Sequence, residues 1–151
     1  MSQAPSNAVV ESFIERIGLS VEADGLPRIA GRIMGFFVIH GGPVSFTELA
    51  ERLQVSRGSV STNARLLEGL GVIERISLPG DRQNYYQLSE RPYVRLIEGY
   101  IKRQKAMEAV VKEVQTQMPT TTKATRARLR ELHAFYKTAA EQLQQLVVKI
   151  Q

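Results

Sequence analysis

The 151-residue chain has no cysteine and only two histidines. Without thiols there is no disulfide staple, no thiol redox sensor and no cysteine-type zinc finger. His40 and His133 stand far apart, with no metal-ligand spacing, so no metal site is expected. No apolar run reaches the roughly 18 residues of a membrane span. Residues 1–7 are small and polar and lack the basic and apolar regions of a secretory signal, so the expected address is cytoplasmic. No Walker loop, dinucleotide fingerprint, nucleophile elbow or paired-carboxylate pattern occurs. Hence no catalytic residue and no cofactor is expected, and an enzyme is the least supported class.

What remains is a hydrophobic content of 43% and a formal charge of +5, with a pI near 9.7. The first figure suits a folded chain. The second favours a polyanionic partner, because cationic side chains release condensed counterions on binding. The charge is uneven. Residues 1–25 hold one basic and four acidic groups, net −3; residues 26–92 hold eight and six, net +2; residues 93–151 hold eleven and five, net +6.

The organising stretch is residues 43–88. Residues 44–46 predict a very short strand, and residues 47–53 a helix with Leu49, Ala50 and Leu53 inward. After a break at Gln54-Val55, Ser56 is a fitting N-cap for a second helix ending near Leu70-Gly71. Ala50 and Val60 stand ten apart, the spacing at which the helices of a helix-turn-helix touch. Gln54 occupies the turn position where many such motifs have glycine. Val60, Ala64, Leu67 and Gly71 line one face of the second helix. Arg57, Gly58, Ser59, Ser61, Thr62 and Arg65 make the other, small, hydrogen-bonding and free of acids. Glycine and serines near a helix N-terminus permit close approach to phosphates and base edges. Residues 71–76 and 84–88 alternate as strands around the turn Pro79-Gly80-Asp81-Arg82. Asp81 is expected to orient Arg82 or cap the turn, and Arg82 suits a narrow minor groove.

Two helices precede this stretch. Residues 8–21 carry Val10, Phe13, Ile14 and Ile17 at helical spacing, and residues 22–25 read as a loop. Residues 26–40 form the next helix, with Pro27 in its first turn. Gly31 and Gly35 each cost about 1 kcal/mol relative to alanine inside a helix, which predicts close approach of another helix over them. Arg28 and Arg32 share a different face, either as solvated charges or as a phosphate clamp. After the hairpin, Ser89 is expected to cap a long helix through Met118. Tyr93, Ile97, Tyr100, Gln104, Met107, Val111, Val114 and Met118 follow heptad spacing, and Leu129, Leu132, Tyr136, Ala139, Leu143, Leu146 and Ile150 repeat it beyond Pro119. Such narrow seams predict packing on each other and on a second subunit. The fold class expected is mostly α with a small β-hairpin wing, a winged helix-turn-helix. Its parts are an N-terminal dimerisation helix (1–25), a DNA-binding domain (26–89) and a C-terminal dimerisation region (90–151).

The segments Gly25-Leu26-Pro27-Arg28-Ile29-Ala30-Gly31-Arg32-Ile33, Glu48-Leu49-Ala50, Ser56-Arg57-Gly58-Ser59-Val60-Ser61 and Leu78-Pro79-Gly80-Asp81-Arg82 resemble the MarR superfamily, most of all its GbsR-like branch. The resemblance covers residues 25–93 well and the flanking helices in outline. It implies a cytoplasmic homodimer that binds double-stranded DNA at a pseudo-palindromic operator. Most members repress, and many leave DNA when a small-molecule effector binds; some GbsR-like members answer to choline or glycine betaine. Phe13, Tyr93, Tyr100 and Tyr136 are the aromatic candidates for holding such a cation, and each also fits a seam or core. The alternative is a winged-helix adaptor that binds protein without specific DNA binding.

Overall fold

Glycine ridges bring the first two helices together. In the computed structural model, which describes residues 6–151, α1 (Asn7–Ala23) lies against α2 (Arg28–His40). A Cβ on Gly31 would stand 2.8 Å from the Cα of Gly18 and 2.9 Å from the carbonyl oxygen of Ile17, so any side chain there would displace α1. Gly18, unremarked in the sequence, is the matching bare position and is itself buried. Pro27 is not in the first turn of α2. It is the extended N-cap residue, where its fixed φ and missing N–H are equally harmless. The reading of residues 1–7 as free of a signal lies largely outside the described residues.

β1 (Val44–Ser45) leads directly into α3 (Phe46–Leu53), and Ser45 accepts a hydrogen bond from the Glu48 amide. Gln54 takes the left-handed conformation at φ 55°, which glycine would adopt more cheaply, and its side chain donates to the Glu51 carbonyl. The chain then enters α4 (Arg57–Gly69), whose N-cap is Ser56. Leu49, Ala50 and Leu53 of α3 and Val60, Ala64 and Leu67 of α4 are buried, as their spacing predicts. Phe36, Phe37 and Ile33 of α2 complete the core with Val72 and Ile73. Fully burying a side chain of this size contributes roughly 1.5–3 kcal/mol.

β2 (Ile73–Ser77) and β3 (Asn84–Leu88) form the antiparallel wing, Ile73 opposite Leu88 and Ser77 opposite Asn84. The sheet order is β1-β3-β2, with Val44 opposite Tyr86. The short β1 thus covers the outer edge of the wing, a pairing that its two residues alone do not announce.

The chain divides into two compact units after Pro92, so α1 belongs with the winged helix. The second unit is a hairpin of α5 (Pro92–Gln117) and α6 (Lys123–Ile150). Ser89 is not the cap of α5. It is buried, its amide donates to the Val72 carbonyl, and the helix starts three residues later, after Arg91 at φ 53°. Thr122 caps α6 by accepting from the Thr125 amide.

The heptad seam is also displaced. Val94, Ile101 and Val147 form the buried cluster, with Ile97 and Leu143 packed against it, and His133 meets Glu108 at 3.4 Å. These contacts run the helices antiparallel. Tyr93, Tyr100, Met107, Leu132 and Leu146, placed in the seam by spacing, remain exposed. The two stripes share Ile97, Gln104 and Val111, so one periodicity describes both. The partner helix takes the side that carries Val94 and Ile101.

Candidate nucleic-acid interface

Ser56 shapes the start of α4. Its Oγ accepts from the Ser59 amide at 3.1 Å and donates to Ser59 Oγ at 3.0 Å. Next to it Gly58 is open: the nearest atom to a Cβ built there is Ser56 Oγ, at 4.0 Å. Arg57, Gly58, Thr62 and Arg65 are exposed, while Ser59 and Ser61 are half-buried. Arg65 reaches back one turn and donates to Ser61 Oγ at 2.8 Å. No acid stands in the first turn. The first acid, Glu68, lies 3.8 Å from Arg75 of β2 and so ties the helix to the wing. Of the six predicted residues, Arg57, Gly58, Thr62 and Arg65 thus form an exposed surface whose donors outnumber its acceptors, and Ser59 and Ser61 flank it.

Asn63 belongs to neither the apolar stripe nor the exposed face that spacing predicts. It is 6% exposed, on the inward side of α4, and its Nδ2 donates to the Ser59 carbonyl at 2.8 Å. The signal was a lone amide adjoining the Val60–Ala64–Leu67 stripe. It fastens the backbone of the turn that presents the serines.

At the wing tip, Gly80 takes φ 78° and the Asp81 amide donates to the Leu78 carbonyl. Asp81 caps the turn: Oδ1 accepts from the Gln83 amide at 2.9 Å and Oδ2 from the Tyr85 hydroxyl at 2.6 Å. The tyrosine hydroxyl, and after it the amide, hold the Asp81 carboxyl below its ordinary range, and the same bond raises the Tyr85 phenol. Arg82 is left exposed and forms no ion pair among the described residues.

Arg28 and Arg32, read as solvated charges or as a phosphate clamp, both meet an acid within the fold. Glu15 of α1 takes both: Arg28 donates to Oε2 at 2.6 Å, and Arg32 Nε lies 2.6 Å from Oε1. Arg28's hydrogen bond first, and then the charges of both arginines, hold the Glu15 carboxyl below its ordinary range. Sequence spacing showed the two arginines on one face but not the carboxylate opposite.

The four aromatic candidates do not share an environment. Phe13 is half-buried on α1, beside Val9 and Ile17. Tyr93 is 51% exposed, and Tyr100 already carries the Arg103 guanidinium over its ring at 4.5 Å. Tyr136 is half-buried and packs edge-on to Phe135, at 5.3 Å between ring centroids. His40 ends α2, stacked near Phe36 and 3.3 Å from an Arg52 nitrogen. Burial, and after it the charge of Arg52, lower its basicity. Among the described residues no cluster of histidines and acids could hold a metal, and no helix is long and apolar enough to cross a membrane.

Comparison with known proteins agrees with this geometry. Residues 24–83 match the model of the MarR family. The HTH-type transcriptional regulator MmpR5 of Mycobacterium tuberculosis is 40% identical over 80 residues, 52% of this chain and 48% of that protein. The putative HTH-type transcriptional regulator YvaV of Bacillus subtilis is 29% identical over 83 residues, 55% of this chain and 47% of that protein. The chain thus spans about half the length of the curated relatives it matches. The crystal structure of a transcriptional regulator superposes with a TM-score of 0.84 at 26% identity, covering 93% of this chain and 97% of that one. These relatives are named as regulators, not as enzymes. From residue 24 to residue 83 the chain is thus similar to the MarR family, and the relatives matched over this stretch are named as transcriptional regulators.

Proposed function

We propose that the protein is a sequence-specific DNA-binding transcriptional regulator that works as a homodimer. One observation carries the reading: α4 exposes Arg57, Gly58, Thr62 and Arg65, flanked by the half-buried Ser59 and Ser61, from an N-terminus with no acid in its first turn. In this reading α4 enters the major groove, where Arg57 and Arg65 supply charge-assisted bonds and the serines and Thr62 read base edges. Arg82 meets the backbone or the minor groove at the flank. The second copy supplies the matching half-site, about one helical turn away. Repression is the sign we assign, with the GbsR-like branch as the likeness that suggests it. Release by a small molecule rests on that likeness alone, and Tyr100, its ring face covered by Arg103, is the weakest of the aromatic candidates.

The test is a gel shift on the DNA upstream of its own coding sequence. A salt-sensitive, specific complex is expected at physiological ionic strength, and its absence would refute the reading. Replacing Arg57, Arg65 and Arg82 together by alanine should cost several kcal/mol of operator binding, at about 1–3 kcal/mol for each base-reading contact. Unchanged operator binding by that triple variant would overturn the assignment of these three residues, whereas protein binding that survives the triple change, with no specific DNA complex from the wild type, would favour an adaptor role instead.

A further inference from the structure

Arg32 touches three elements at once. Its stem fills the space that Gly18 leaves on α1: a Cβ on Gly18 would stand 2.8 Å from Arg32 Cγ. Its Nε is 2.6 Å from Glu15 Oε1, a close ionic contact that is not aligned as a hydrogen bond. A terminal nitrogen donates to the Leu53 carbonyl at 2.9 Å. Leu53 is the last residue of α3, and a carbonyl there has no helical partner. The amides of Gln54 and Val55 go to the carbonyls of Glu51 and Ala50, and the donor on the Leu53 carbonyl is Arg32. The next residue, Gln54, makes the left-handed step that sends the chain into α4.

We infer that Arg32 is a positioning residue: anchored on Glu15, it holds the turn of the helix-turn-helix against α1 and so sets how α4 is presented. The arginine side chain is 21% exposed, against 42% for Glu15, so the fork is sheltered at the turn. A planar guanidinium can serve the carboxylate and the carbonyl together, whereas one ammonium at the end of a lysine cannot span both. For its effect on DNA the inference rests on the function proposed above. For its effect on the turn it does not.

Positioning and phosphate contact differ in their response to salt. A lost phosphate contact weakens matched and scrambled DNA alike and lowers the salt slope by about one. A lost positioning contact lowers the preference for matched DNA and leaves the slope on scrambled DNA unchanged. The experiment uses the full chain with Arg32→Met, Arg32→Lys and Glu15→Gln. Matched duplexes are selected from a random pool, and affinity is read against salt for matched and scrambled DNA. Hydrogen exchange of the Gln54 and Val55 amides is followed without DNA.

For Arg32→Met, matched affinity should fall about tenfold or more while scrambled affinity changes less than about twofold. The Gln54 and Val55 amides should exchange faster. Arg32→Lys and Glu15→Gln should show the same pattern, weaker. Should Arg32→Met fail to fold, those two variants decide the question. Equal losses on both DNAs with a reduced slope would make Arg32 a phosphate contact and overturn the inference. So would unchanged exchange at the turn, even if the wild type binds no DNA and the regulator reading has itself failed.

Discussion

The two units bury their apolar residues to different depths. In the winged unit Phe36, Phe37, Ile33, Leu49, Ile73, Val60 and Val72 are all essentially inaccessible. In the helical hairpin Val94, Ile101, Val111, Ala140 and Val147 are buried, while Tyr93, Phe135 and Val148 stay more than half exposed. A winged helix is a layered domain that closes a core around α2, whereas two helices offer each other only one stripe apiece. The winged unit closes a core of its own, although Val9 and Leu19 of α1 stay exposed. The hairpin keeps apolar surface in reserve, and for that surface we propose the second copy as occupant.

The largest effect is expected in the core of the winged unit. Phe37→Ala should cost roughly 3–5 kcal/mol there, measured by denaturant unfolding, and leave the hairpin helical by circular dichroism. An effect shared equally by both units would show that they unfold as one. Gly31→Ala comes next. A methyl group 2.8 Å from Gly18 Cα must push α1 away, at about 1–3 kcal/mol for overpacking against roughly 1 kcal/mol gained in helix propensity. A net gain in stability would mean that α1 gives way freely. Ser56→Ala removes the cap of α4 and should cost about 1 kcal/mol, and exchange at the Ser59 amide should quicken with it.

Smaller still is the pH dependence of the Glu15 cluster. Because the folded state holds this carboxyl below its unfolded value, its contribution is fully present above the ordinary glutamate range. That contribution is lost as pH falls through the folded value. Thermal melts from neutral to acid pH should therefore fall less steeply for Glu15→Gln than for the wild type. Equal slopes would show the pairs to be too solvated to matter. The smallest change in fold stability, within about 0.5 kcal/mol, is expected for Phe135→Glu. Under the proposed assembly that variant should nonetheless sediment as a monomer. Leu143 would not test the same point, because it packs inside its own hairpin.

Much of the winged unit was legible from residue order, since its signals are local. A serine three residues ahead of an amide it caps, a stripe at helical spacing, and Pro-Gly-Asp between alternating runs act within a few residues. The helix-turn-helix, the wing and the outward face of α4 were read from these. Even Gln54, the mismatch at the turn, holds the left-handed conformation that the motif requires. Ser89 misled because its backbone is engaged by Val72, across the fold, before a helix can start on it.

By itself the sequence determined where helices begin and end around the turn, which residues face inward, and that α4 opens without acids. Capping, periodicity and turn preference are short-range and need no knowledge of the rest of the chain. Tertiary structure alone decided that Glu15 claims Arg28 and Arg32, that β1 pairs with the wing, and which of two overlapping stripes α5 turns to α6. Long side chains reach partners far away in sequence, and a helix with apolar residues on adjacent faces has no preferred side until something packs against it.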